Sequence, residues 1–131
     1  MTKTGSVEME QTKSQIRKGV LELCILSVIS QGEVYTLDIL EKLKQADLIV
    51  VEGTLYPLLS RLKNEELLSY SWAESKGGPP RKYYNLTKKG EVVLSQLNDY
   101  WDEINNSVNK LRSISKNVKS SDKQKTIKVR K

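Results

Sequence analysis

Apolar residues recur along this chain with rhythms that change from segment to segment. From Ile16 to Ile29 they lie almost all round a helix, at Val20, Leu21, Leu23, Cys24, Ile25, Leu26, Val28 and Ile29. A helix of that kind belongs in a core or between subunits. Gln31-Gly32 stops it. A second helix is expected from Thr36, a suitable N-cap, with Leu37, Leu40 and Leu43 inward, fading near Ala46-Asp47. A third starts near Gly53-Thr54, where Leu55, Leu58, Leu59 and Leu62 fall at i, i+3, i+4, i+7. Pro57 fits only in the first turn of that helix, so the helix is expected to begin no earlier than about Thr54.

The rhythm then shortens. Leu68 to Ala73 alternates as a strand, with Leu68, Tyr70 and Trp72 on one face, and Arg81 to Leu86 forms a second strand. Between them Lys76-Gly77-Gly78-Pro79-Pro80 is a turn, giving a β-hairpin with a basic tip. Tyr83 and Tyr84 point to opposite faces, so one of them is core. Thr87 caps a last helix whose apolar positions, Leu94, Leu97, Trp101, Ile104, Val108 and Leu111, make a heptad seam. Ser115 breaks the phase, and fraying is expected between Leu111 and Val118. Residues 1–14 and the Lys/Ser-rich stretch 115–131 are expected to be disordered.

Three helices followed by a two-stranded wing is the winged helix-turn-helix layout. The fold class is mainly α with a small β-hairpin, plus a long C-terminal helix. In that layout the leucine stripe seats the third helix on the first two, and its polar face is free for base edges and phosphates in a major groove. The hairpin reaches the flanking backbone and needs cations there.

Composition narrows the chemistry. The 131 residues contain no His and one Cys. The usual imidazole base and metal ligand are therefore absent, and no internal disulfide or Cys-rich zinc site can form. Cys24 sits among apolar neighbours, as a small buried hydrophobe would. With no phosphate-binding Gly-rich loop either, no catalytic set is visible, and neither an enzyme nor a cofactor is expected. No apolar run is long enough to span a membrane, and Met1 to Gln15 has no apolar stretch of a secretory signal, so a cytoplasmic location is expected. The net charge of +6 is mostly a tail property: Arg112 to Lys131 holds eight basic residues and one acid, whereas residues 1–111 hold 14 basic and 15 acidic. Within the body, Lys76, Arg81, Lys82, Lys88 and Lys89 form an acid-free basic patch, which is a better nucleic-acid signal than a uniform charge.

Three segments resemble the PadR-like transcriptional regulators. They are Gly32-Glu33-Val34-Tyr35 with the helix after it, Gly53 to Leu62 (GTLYPLLSRL), and Gly77 to Gly90 (GGPPRKYYNLTKKG). The resemblance covers roughly residues 16–111, in matching order and spacing. The single long last helix is similar to that of the smaller PadR subfamily, where it serves dimerisation. The resemblance implies a division into a DNA-binding domain over 15–87 and a dimerisation helix over 88–114. It also implies a homodimeric repressor that binds a palindromic double-stranded operator and is released by an aromatic or drug-like ligand. The extension after Leu111 lies outside the pattern. A MarR-like regulator would share the fold, but Tyr56-Pro57-Leu58-Leu59 argues against it. A winged-helix protein–protein adaptor without an effector is the alternative, although acids would be tolerated in its wing.

Candidate DNA contacts follow from these placements. Tyr56, Ser60, Arg61 and Lys63 lie on the free face of the third helix. Arg61 has a second role open to it, an i, i+4 pair with Glu65. Thr54 is either a helix cap or a phosphate ligand. Tyr35 and Thr36, opening the second helix, are either phosphate contacts or a packed Tyr beside a capping Thr. Arg81 and Lys82 are wing contacts, and Lys76 is open between contact and solvated surface. Leu97, Trp101, Ile104 and Val108 line the seam as dimer core. A Trp at the place of Trp101 stacks on flat aromatic drugs in some relatives, so a ligand role is compatible with a core role.

Overall fold

The computed structural model describes residues 2–123, with side chains described from 7 to 114. Three helices, α1 (Thr2–Ser30), α2 (Thr36–Gln45) and α3 (Glu52–Asn64), precede a hairpin, and a long helix, α4 (Lys88–Lys123), follows it. The hairpin strands are β2 (Leu68–Ser75) and β3 (Gly78–Leu86). A two-residue strand, β1 (Val34–Tyr35), joins them in an antiparallel sheet of order β1-β3-β2. Val34 pairs with Tyr84, and Tyr35 with Tyr83. Residues 1–95 form one compact body and residues 96–131 another.

The core of the first body collects one face from each element. Leu21, Ile25, Leu26 and Ile29 come from α1, Ile39 and Leu43 from α2, and Leu55, Leu59 and Leu62 from α3. Leu67, just before β2, and Leu68 and Tyr84 of the sheet close it. The apolar ring read in α1 is thus split. Leu21, Ile25, Val28 and Ile29 are buried, whereas Leu23 and Cys24 are only half-buried.

Several boundaries differ from the sequence expectations, each for a local reason. Thr36 is not the cap of α2: the N-cap is Tyr35, held in extended geometry, and its N–H donates to the Asp38 carboxylate at 3.3 Å. A carboxylate three residues into a helix can reach back in this way to an orphan donor. Nor does α3 wait for Thr54. It begins at Glu52, with Thr54 and Leu55 both donating to the Val51 carbonyl. Pro57 therefore lies in the second turn, where its missing N–H leaves the Gly53 carbonyl without its helical partner. Gly53 is exposed, so water can fill that place.

Both α2 and α3 stop without glycine. The Leu48 and Asp47 N–H groups donate back to Leu43 and Lys44, and those of Leu67 and Glu66 to Leu62 and Lys63. Each is a Schellman closure. The left-handed residues are Asp47 (φ 64°) and Glu66 (φ 66°). Buried Leu67 follows the second closure and leads straight into β2.

The hairpin turn is shorter than the five-residue segment read from the sequence. Ser75 pairs with Gly78, so Lys76-Gly77 alone make the turn, with Gly77 at φ 68°. Pro79 and Pro80 belong to β3. They oppose the single residue Glu74 in a bulge between the pairs Ala73↔Arg81 and Ser75↔Gly78, which is where a sheet accommodates proline. The Ser75 hydroxyl donates to the Pro79 carbonyl at 2.6 Å.

Thr87 caps α4 as expected. Its hydroxyl accepts from the Gly90 N–H at 2.9 Å and donates to the Glu66 carbonyl at 2.6 Å, tying the helix start to the end of α3. Gly90 is buried, and a Cβ there would collide with the Leu67 carbonyl. The ends of the chain carry more helix than the sequence suggested. α1 already begins at Thr2, so most of 1–14 is helical, and α4 passes through the expected fraying zone to Lys123. Neither stretch contains proline, so a helix nucleated by a neighbouring turn can propagate through them. Residues 124–131 of the expected disordered tail lie outside the described residues.

Candidate nucleic-acid interface

Three elements bring their polar residues to one place. The start of α2, the exposed side of α3 and the middle of β3 enclose an open groove of about 400 Å³. It is lined by Tyr35, Thr36, Leu37, Glu52, Tyr56, Ser60, Arg81, Lys82 and Tyr84. Leu55, Leu59 and Leu62 anchor α3 in the core, and helical spacing then turns Glu52, Tyr56 and Ser60 outward. A smaller cleft of about 160 Å³ adjoins it, between Ser60, Lys63 and Asn64 of α3 and Tyr70, Lys82 and Tyr84 of the sheet.

Most of the residues expected to contact DNA converge here. Tyr35, Thr36, Tyr56, Ser60, Arg81 and Lys82 line the larger groove, and Lys63 lines the cleft beside it. Tyr56 is 48% exposed and has a free edge to offer. Thr36 is only 8% exposed, so its side chain serves mainly the packing of the helix start. The remaining three stand apart. Thr54 is exposed in the first turn of α3, and Lys76 is exposed at the hairpin turn. Arg61 makes the i, i+4 pair with Glu65 and is engaged at both ends of its fork. Nη1 donates to Glu65 at 2.9 Å and Nη2 to Glu22 of α1 at 2.8 Å. Those two carboxylates, Glu22 before Glu65, hold the guanidinium pKa above its ordinary value.

Aromatic rings organise the cations of the wing. The Arg81 guanidinium lies 4.4 Å from the Tyr35 ring centroid, and that ring tilts against Tyr83 at 5.5 Å. On the other face of the hairpin, Lys82 Nζ stands 4.5 Å from the Tyr70 centroid and 5.6 Å from that of Trp72. Lys63 Nζ reaches the same Tyr70 ring from α3 at 5.4 Å. Such contacts hold an ammonium in place while leaving its charge unneutralised. Tyr84 is 6% exposed, and burial, reinforced by Tyr56 and Tyr70, pushes its phenol pKa up.

Glu52, Tyr70 and Trp72 were missed as site residues. A helix expected to begin no earlier than about Thr54 leaves Glu52 outside it, and it is the observed start at Glu52 that brings this side chain to the groove. The alternation of Leu68 to Ala73 marks Tyr70 and Trp72 only as strand positions. The hairpin register would have found them, since Tyr70 pairs with Tyr84 and Trp72 with Lys82.

On α4, Trp101, Ile104 and Val108 are exposed at heptad spacing, Trp101 at 42%, and Leu97 is half-buried. Among the described residues there is no cluster of His, Cys, Asp or Glu able to hold a metal ion, and no helix long and apolar enough to cross a membrane.

The chain was compared with known proteins. The sequence profile of the transcriptional regulator PadR-like family matches residues 25–96. A PadR-like transcription factor from Bacteroides fragilis is 58% identical, covering 77% of this chain and 98% of its own, with a TM-score of 0.66. A PadR-like transcriptional regulator from Bacillus cereus is 43% identical over 74% of this chain and 95% of its own, with a TM-score of 0.67. A PadR family regulator from Eggerthella lenta is 29% identical over 82% and 95%, with a TM-score of 0.75. The family is one of transcriptional regulators, not of enzymes. Every residue of the groove falls within the matched span, and by that match the chain belongs to the PadR-like family of transcriptional regulators.

Proposed function

We propose that the protein is a homodimeric, cytoplasmic repressor that binds a palindromic operator and is released by an aromatic or drug-like ligand. α3 enters the major groove with Tyr56 and Ser60 toward base edges. Lys63, Arg81 and Lys82 take backbone phosphates, and Tyr35 lies against the same strand. Thr54 and Lys76 extend the contact at the start of α3 and at the wing tip. Phosphate contacts of this kind set register, and base contacts set sequence.

The observation that carries the reading is the convergence of Tyr35, Tyr56, Ser60, Arg81 and Lys82 on one groove from three separate elements. Family membership supports DNA as the ligand of that groove. The seam of half-buried Leu97 and exposed Trp101, Ile104 and Val108 supports pairing with a second copy, because a lone helix gains nothing by repeating apolar residues at heptad spacing in water. A two-fold dimer joined by its first and last helices would set its recognition helices about 34 Å apart, on successive major grooves. A flat ligand stacked on Trp101 in that seam would alter their separation. It would release DNA only if it bound the free form better than the DNA-bound form.

The test is selection of a bound sequence from a pool of random duplexes with the full chain. The expected product is a palindrome whose half-sites lie one helical turn apart. Recovery of no preferred sequence would favour the adaptor reading of the same fold.

A further inference from the structure

We propose that Lys63 and Lys82 hold one and the same DNA backbone phosphate, seated over the Tyr70 ring between recognition helix and wing. The proposal rests on the DNA-binding reading above and adds which groups form a single site.

Two ammonium groups from different elements stand over one ring, at 5.4 and 4.5 Å from its centroid. Both also line one cleft, where like charges repel each other and a common anion reverses the sign of the interaction. Among the described residues neither lysine forms an ion pair, so no carboxylate occupies that place. The cleft between them is about 160 Å³, room for a phosphate group. Ser60 and Asn64, one helical turn apart on α3, line its side and offer neutral donors to the remaining phosphate oxygens.

The floor is fixed. Tyr70 meets Tyr84 edge-on at 5.9 Å, and Tyr84 is core. Trp72 meets Tyr70 at 88° and is 61% exposed, a large apolar surface left open beside Lys82. A nucleotide has the matching composition, with an anionic phosphate next to an apolar deoxyribose face. Tyr70 is thus a positioning residue that acts through the two lysines, and Trp72 is the wall for the sugar.

The experiment uses the full-length protein and the operator duplex obtained by random selection, with single backbone phosphates replaced one at a time by neutral methylphosphonate. In the wild type, one position per half-site should lose affinity by at least about tenfold, because two charge-assisted bonds are lost together. That penalty should shrink at the same position in both Lys63→Gln and Lys82→Gln, and vanish in the double variant. Tyr70→Phe should keep it, and Tyr70→Leu should reduce it. Should Tyr70→Leu fail to fold, the two surface lysine variants decide alone. If the lysine variants relieve the penalty at two different phosphates, or at none, the shared site is overturned while DNA binding stands. If the wild type selects no duplex, the DNA-binding reading and the shared site fall together.

Discussion

Glu52 is the one carboxylate among the residues lining the larger groove, and its position in the first turn of α3 gives it a distinct task. It repels phosphate, so it weakens indiscriminate binding, and a carboxylate at a base edge accepts only from a donor such as the cytosine amino group. Glu52→Gln is expected to raise affinity for unrelated duplexes and to cost about 1–3 kcal/mol of discrimination at one base pair; parallel titrations of the operator and a scrambled duplex would check both. Gly90 is constrained differently. Its missing Cβ lets the first turn of α4 sit on the Leu67 carbonyl, so Gly90→Ala should cost about 1–3 kcal/mol in urea unfolding through overpacking. The left-handed closing residues should respond the other way. Glu66→Gly is expected to gain up to about 1 kcal/mol, the relief of a left-handed L-residue less the added freedom of the unfolded chain. Tyr84 links stability to pH. Its phenol pKa is raised in the fold, so the folded state holds this proton more tightly than the unfolded chain does. Its contribution is fully present below the ordinary tyrosine pKa and is lost as pH rises through that value toward the folded one. Thermal melts taken above about pH 9, where an ordinary tyrosine begins to ionise, should show this fall, reduced in Tyr84→Phe.

At the scale of elements, the Arg61 fork joins α1 to α3 through Glu22 and adds a pair within α3 through Glu65. Both pairs are partly exposed, so each is worth less than about 1 kcal/mol, and the effect is one of alignment more than of stability. Arg61→Ala should therefore lower the urea midpoint slightly and leave operator selectivity unchanged. A loss of discrimination of about 1–3 kcal/mol would instead return Arg61 to base reading. The same residue shows what periodicity can and cannot reveal. Spacing offered the partner four residues on, but nothing local pointed to Glu22, because that contact depends on how α1 crosses α3. The stripe Leu55, Leu58, Leu59 and Leu62, of which only Leu58 stays half-buried, and the Thr87 cap were legible, since each is a local pattern with one physical use. The start of α3 was not, because a proline in a second turn is tolerated where its orphaned carbonyl is exposed. Strand β1 was invisible for a related reason. Two residues carry no period, and Val34-Tyr35 became a strand only because β3 lay beside it. In the site, the residue types were legible and their grouping was not. Lys63 and Lys82 were separate cations in the sequence until the fold brought them over one ring.

At the scale of the whole molecule, the proposed division of labour is that the first body reads DNA and the seam on α4 pairs two copies. Ile104→Glu, in the middle of that seam, is expected to separate the copies in analytical ultracentrifugation without unfolding residues 1–95. The monomer should then bind a single half-site only weakly. Deleting Lys116 to Lys131 should reduce the salt dependence of binding if the basic extension adds sequence-independent attraction. Above these stands the claim that the groove between α2, α3 and the wing reads a DNA sequence. Its most direct test is fluorescence anisotropy of the full chain at about 0.15 M salt, where exposed non-specific attraction is screened. The selected duplex and a scrambled duplex of the same composition would be compared. Sequence reading predicts a preference for the selected duplex of roughly three decades or more. Equal, weak binding to both duplexes would contradict it.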